Sequence, residues 1–361
     1  MTIAPDVLKR APKVVLHDHL DGGLRPETLV ELASEASFKK KNPKFALPSY
    51  DAKTLAEIIQ RGANSGSLVE YLKPFEYTVA VMQNAEAITR IAAECVEDLA
   101  ADGVVYAESR FAPGLSTEHG LSESQVVEAV LAGFELGMKN ARVAGNDIEA
   151  RALVCTLRHW EPTRSVDAAK VAIDFHNSGV VGFDIAGPEK GFPASDHVQA
   201  FMLLRDNNVP FTIHAGEADG VASIVDALSL GARRLGHGVR IVEDINDDGQ
   251  FGATATRVRD ERIALETCPC SNVQTGAVAH MAEHPLRRLQ ELGFAATINT
   301  DNRLMSGTSM TNEFTVGVEQ LGLDLENLEQ LTITAMKSAF CDETVKKERL
   351  EKIVAGYRAL S

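Results

Sequence analysis

Eight short apolar runs, each followed by a polar or amphipathic stretch, recur along this chain, and the alternation limits its possible folds more than any other feature. The runs are 13–16, 103–107, 151–157, 180–185, 210–213, 234–235, 262–265 and 294–298. Most are rich in Val, Ile, Leu or Phe without polar alternation, the pattern of parallel strands buried on both faces. Between them, residues 85–102, 122–139, 166–178, 196–208 and 220–230 have helical periodicity. Gly103, Gly179, Gly231 and Gly293 stand just before proposed strands, where the glycine that ends a helix belongs. Strand then helix, eight times over, predicts an α/β fold, a (β/α)8 TIM barrel spanning residues 1–361 as a single domain. One interval breaks the repeat. Roughly 85 residues separate the first two runs, and 38–77 reads as a helical insertion after strand 1. An insertion there sits over the C-terminal mouth of a barrel, as a lid would.

Composition removes several functional classes. Acidic residues number 51 against 36 basic ones, a formal net charge of -15. That excess argues against nucleic acid and anionic membrane as partners, since both require clustered Lys and Arg. No window approaches the length of apolar sequence needed to span a bilayer, and the N-terminal stretch lacks the apolar core of a secretory signal. Five cysteines, an odd number scattered along a long chain, do not form a disulfide framework and point to the reducing cytoplasm.

The polar residues fall where a barrel keeps its chemistry. The first strand ends in His17-Asp18-His19-Leu20-Asp21, and residues two apart in extended chain share a side, so His17 and His19 face the axis together. The fifth ends in His214-Ala215-Gly216-Glu217, the sixth in His237 and the eighth in Thr300-Asp301-Asn302. Singly, each has an ordinary structural use: a hydrogen-bonded histidine, a helix-capping Asp, a solvated Glu. Four of eight strands ending in ligand-type side chains at one barrel face is a site. His17, His19, His214 and Asp301 suffice for one Zn2+ per chain with a position left for water, whose pKa zinc lowers towards about 7. The fourth strand, Gly182-Phe183-Asp184-Ile185-Ala186-Gly187, has no Lys to bridge a second metal.

At this point the chain resembles the adenosine deaminase family. HDHLDGG, YAESRFAP, FDIAGPE, FPASDH, IHAGE, RLGHG, ETCPCSN and TDN occur in family order over nearly its whole length. The resemblance implies hydrolytic deamination of adenosine or deoxyadenosine, with His17, His19, His214 and Asp301 as zinc ligands. It implies Glu217 as the acid that protonates ring nitrogen-1, and His237 as the residue that orients and stabilises the attacking hydroxide, with Asp301 able to take the water proton. It further implies substrate contacts from His19, from Asp21 to a ribose hydroxyl and from the Gly187 amide to ring nitrogen-3. Asn302 departs from the family, which usually has a second Asp there to donate to ring nitrogen-7; an Asn NH2 donates without first needing a proton.

Relatives with the same mechanism act on adenine or aminodeoxyfutalosine, and Asp21 favours a ribose-bearing substrate over the free base. Hydrolysis of cyclic amides or esters would call for the second metal that the fourth strand does not supply, and a non-catalytic purine-binding barrel would not need Glu217. Cys268-Pro269-Cys270 is expected to pack behind the seventh strand rather than bind metal. His159 is expected to play a supporting or structural part, and Leu68, Leu72 and Phe75 to line the pocket mouth or pack within the lid.

Overall fold

The computed structural model describes residues 3–246 and 248–360. Eight parallel strands follow the expected order: β1 (Lys13–His19), β2 (Val104–Phe111), β3 (Glu149–Leu157), β4 (Val180–Ala186), β5 (Thr212–Ala215), β6 (Arg234–His237), β7 (Ala264–Thr267) and β8 (Ala296–Ile298). They form two four-stranded sheets, β1 to β4 and β5 to β8. Isolated parallel bridges join these at both seams, Phe183 to Phe211 and Asp18 to Asp301. At the second seam His19 N–H donates to the Asp301 carbonyl (2.8 Å) and Asp301 N–H to the His17 carbonyl (2.9 Å), closing the ring.

β1 to β4 and β6 are longer than their apolar runs, β5 and β7 match theirs in length, and β8 is shorter. β1 extends through His17 to His19, and β2 through Glu108, Ser109 and Arg110 to Phe111. These polar residues are strand because their side chains meet at the barrel axis, where Arg234 pairs with Glu108 and Glu266 (both 2.6 Å) and Arg110 with Glu266 (2.8 Å) and Asp184 (2.5 Å). All five are buried. Charges out of water are tolerated only when paired and hydrogen-bonded, as these are. The apolar faces point outward to the helices: Phe183, Phe201 and Phe211 pack edge-on or tilted between β4, β5 and the helix Val198–Asp206.

Helices lie where the periodicity put them, with shifted ends. The helix expected over 166–178 runs Pro162–Asp174, because Pro162 suits the first helical turn, where no N–H partner is needed. Gly231 ends the helix Val221–Leu230 in the left-handed region (φ 99°). The insertion after β1 starts earlier than residue 38. Five helices, Pro26–Ser34, Ala36–Lys41, Ala52–Ala63, Leu68–Leu72 and Phe75–Val81, fill it, the first again opened by a proline. Among the described residues no helix is long and apolar enough to cross a membrane.

Candidate active site

Three strand ends converge on one point. Each of His17, His19, His214 and Asp301 offers a donor atom, and these atoms all lie within 4.8 Å of one another. Partners behind the rings aim them. His17 Nδ1–H donates to Glu266 Oε2 (2.9 Å), and His214 Nδ1 sits 3.0 Å from Asp184 Oδ2, so each ring turns its Nε2 lone pair inward. Arg110 joins the two carboxylates and fixes both. Asp301 Oδ2 accepts from the Ser271 hydroxyl (2.6 Å), leaving Oδ1 3.3 Å from His17 Nε2 and 3.4 Å from His19 Nε2.

This donor set fits a metal ion. His17 Nε2 is buried with no hydrogen-bond partner, and the His19 and His214 Nε2 atoms face each other at 3.3 Å. Converging lone pairs beside a carboxylate, shut off from water, are satisfied by a cation. Three nitrogens and one oxygen suit zinc or another borderline divalent ion. Burial alone would raise the pKa of Asp301, but the surrounding imidazoles of His17, His237 and His19 hold it well below the carboxylate range.

Glu217 stands beside this cluster. Burial raises its pKa well above the ordinary carboxylate value, reinforced by the Asp301 and Glu189 carboxylates, which favours its protonated form. Its Oε1 is buried without a partner, while Oε2 lies 3.5 Å from His237 Nε2. The loop that presents it is held by buried Glu189, whose oxygens accept the backbone N–H groups of Gly216 (2.6 Å), Glu217 (3.0 Å), Ala218 (2.5 Å) and Asp219 (2.9 Å). His237 and Asp301 both have left-handed backbones (φ 62° and 58°), a strain common where side chains are positioned for function.

His19, His214, Glu217, His237 and Asp301 line a cavity of about 310 Å³ together with Asp21, Gly187 and Asn302. Burial lifts Asp21 to about 7. Gly187 has φ 94°, and a Cβ there would lie 3.3 Å from His159 Nδ1, so a larger residue would be strained and would close the approach to its amide. Leu68, Leu72 and Phe75 do both things expected of them, packing on the core and lining the cavity. His159 lines the wall, outside the four-donor cluster. Cys268 is buried and Cys270 half-buried, and neither belongs to that cluster.

Several residues the sequence did not single out prove central to the geometry. Arg110, Asp184, Glu189, Glu266, Ser271 and Asn272 lie inside the strings YAESRFAP, FDIAGPE and ETCPCSN; for Arg110, Asp184 and Glu266 a polar residue within a strand was the available signal, while Glu189, Ser271 and Asn272 follow their strands. Tyr71 had no signal: it is buried in the insertion, lines the cavity and bonds Ser306 Oγ at 2.7 Å.

His284 closes the back of the site. Burial lowers its pKa from 6.5 to about 3. Between those values the unfolded chain binds a proton that the native protein does not, so this stabilisation is complete above about pH 6.5 and declines as pH falls towards about 3. Urea midpoints between pH 7 and pH 4, around His284's ordinary 6.5, should fall more steeply for the wild type than for His284→Gln. Equal slopes would count against a buried neutral ring.

Fold and site together define a parallel β/α barrel whose strand C-terminal ends bring together a histidine and carboxylate cluster suited to a metal ion. The chain belongs to the adenosine deaminase family, whose model matches residues 12–356. Adenosine deaminase of Mycolicibacterium vanbaalenii is 55% identical over 340 residues, covering 93% of this chain and 92% of the relative. That of Mycolicibacterium gilvum is 56% identical over 338 residues, covering 92% and 91%. The crystal structure of the Arabidopsis N6-mAMP deaminase superposes with a TM-score of 0.82 at 27% identity, covering 97% of this chain and 99% of that one.

Proposed function

We propose that this protein hydrolyses adenosine and deoxyadenosine to inosine and deoxyinosine, releasing ammonia. The observation that carries the reading is Glu217, a buried carboxyl whose pKa is raised well above the ordinary value, with Oε1 unpartnered, in the wall of the same cavity as the donors His19, His214 and Asp301. His17, His19, His214 and Asp301 would hold one zinc ion, which when bound supplies a water acidic enough to be ionised near pH 7. Glu217 gives its Oε1 proton to ring nitrogen-1, so that negative charge does not build up on the purine as oxygen adds to carbon-6. His237 faces the same region through Nε2 and steadies the entering oxygen, while Asp301 receives the water's proton. The Gly187 amide serves ring nitrogen-3, the Asn302 amide ring nitrogen-7, and Asp21 a ribose hydroxyl; His19 borders the sugar side of the pocket.

A nucleoside is favoured over a nucleotide on charge. Among the described residues no Lys or Arg lines the cavity, while Asp21 and Glu76 do, so a 5′-phosphate would enter without a counter-charge. The helical insertion supplies Leu68, Tyr71, Leu72 and Phe75 to the wall, which supports its role as a lid over one barrel domain. Five free thiols support a cytoplasmic setting.

The test follows the ultraviolet change from adenine-type to hypoxanthine-type absorbance with zinc-loaded protein and adenosine, AMP, adenine or aminodeoxyfutalosine. Adenosine is expected to turn over fastest, with a chelator abolishing the rate and added zinc restoring it. Turnover of only another adenine compound would move the specificity, and turnover unaffected by complete metal removal would sink the mechanism.

A further inference from the structure

Asn272 lies in ETCPCSN, on the short helix Pro269–Gln274, fully buried and away from the cavity wall. It stands in a chain of hydrogen bonds that ends on the catalytic face, and the direction of every link is determined. At the far end, the backbone N–H of Leu286 donates to His284 Nδ1 (3.2 Å). A backbone N–H can only donate, so His284 Nδ1 is the unprotonated nitrogen and the ring proton is on Nε2. His284 Nε2–H therefore donates to Asn272 Oδ1 (3.1 Å). The same Oδ1 accepts the backbone N–H of Cys268 (3.1 Å), a second donor that cannot be reversed. With both donors on Oδ1 the amide cannot flip, and its NH2 must face His237 Nδ1 (2.9 Å).

We propose that Asn272 is a positioning residue that holds His237 as the tautomer protonated on Nε2, so that this ring meets the reacting oxygen as a hydrogen-bond donor and never as a base. The inference rests on the deaminase reading above and deepens it. The His237 Nδ1 lone pair is engaged by the Asn272 NH2, and its Nε2 already carries the proton directed towards Glu217 Oε2 and the cavity. A nitrogen in that state has no lone pair to accept a proton from water. The water's O–H bond therefore breaks towards Asp301, whose carboxylate gains the proton, while His237 stabilises the oxygen left behind. Glu217 fits the same polarity: with Oε2 receiving from His237, its own proton is on Oε1, the atom with no other partner.

The experiment is a long-range 1H–15N correlation spectrum of the zinc-loaded protein labelled with 15N-histidine, the His237 signals being identified by their loss in His237→Gln. The wild type is expected to show His237 protonated on Nε2 and imine-like at Nδ1; protonation on Nδ1 overturns the proposal without any variant having to fold. Asn272→Asp keeps acceptors for Cys268 and His284 but offers His237 only an oxygen, so the ring should invert to Nδ1–H. With adenosine as substrate, kcat should then fall roughly a hundredfold and KM change only a fewfold, the pattern of a lost transition-state donor. An uninverted ring in the variant, or an inverted ring with wild-type kcat, overturns the role assigned to Asn272. If the wild type fails to deaminate adenosine the functional reading fails, while the tautomer remains readable from the spectrum.

Discussion

Glu217→Gln is expected to lower kcat for adenosine by roughly a thousandfold and to leave the metal content of the purified enzyme unchanged. The two halves of this expectation have separate causes. Gln has the size of Glu and can keep the contact with His237, but it has no proton to give to the purine ring. Glu217 is not one of the four converging donors, so removing its acid should not remove the ion. The environment that favours the acid form of Glu217 is costly for the fold: burial and two nearby carboxylates, Asp301 and Glu189, both raise the cost of ionising it. Neutral Gln relieves that tension, and the variant should be at least as resistant to urea as the parent. Metal analysis, steady-state rates and denaturation together test the claim, and a near-normal rate would remove Glu217 from the mechanism.

Arg110→Met should have the largest effect on stability, a loss of about 3–5 kcal/mol. The guanidinium is fully buried and bonds Asp184, Glu266 and the Leu16 carbonyl. Met fills the space but leaves two carboxylates out of water with one cation, Arg234, shared between Glu108 and Glu266, and only His214 beside Asp184. Removing one member of a buried ion cluster is far more damaging than replacing the whole cluster with apolar side chains. The same substitution releases the carboxylates that aim His17 and His214, so metal affinity should drop tenfold to a hundredfold in parallel. Urea unfolding and competition with a chelator measure the two effects. Loss of less than about 1 kcal/mol would mean that the axis network is not what holds the barrel interior together.

The residues that meet at the metal cluster could be read from the sequence because His-x-His puts two rings on one side of a strand, and because each remaining donor follows an apolar run. Strand lengths could not be read the same way. Glu108 and Arg110 look like loop chemistry until their partners are known, and those partners lie on strands far away in sequence. A polar barrel axis hides the true ends of its strands from any hydrophobicity pattern. The insertion was legible as helical but not in its starting point, and Tyr71 was invisible because its partner, Ser306, belongs to the far end of the chain. Asn272 was present in a quoted motif, yet its meaning depends on which way its amide points, and the backbone of Cys268 and the ring of His284 decide that only in the folded protein.

One seam of the ring runs through the metal cluster. Asn299 at the end of β8 accepts the backbone N–H groups of Leu16 (2.8 Å) and His17 (3.2 Å), the latter across 282 residues of sequence. Two of the four donors belong to the first strand and one to the segment just after the last, so the complete ligand set exists only when the two ends of the barrel have met. A chain still emerging from the ribosome, or one lacking β8, cannot offer that set. Metal binding therefore rewards completed closure and nothing before it, stabilising the finished ring by mass action. A bound ion would act as a clasp on one of the longest-range contacts of the fold, which would make metal uptake a readout of completed closure.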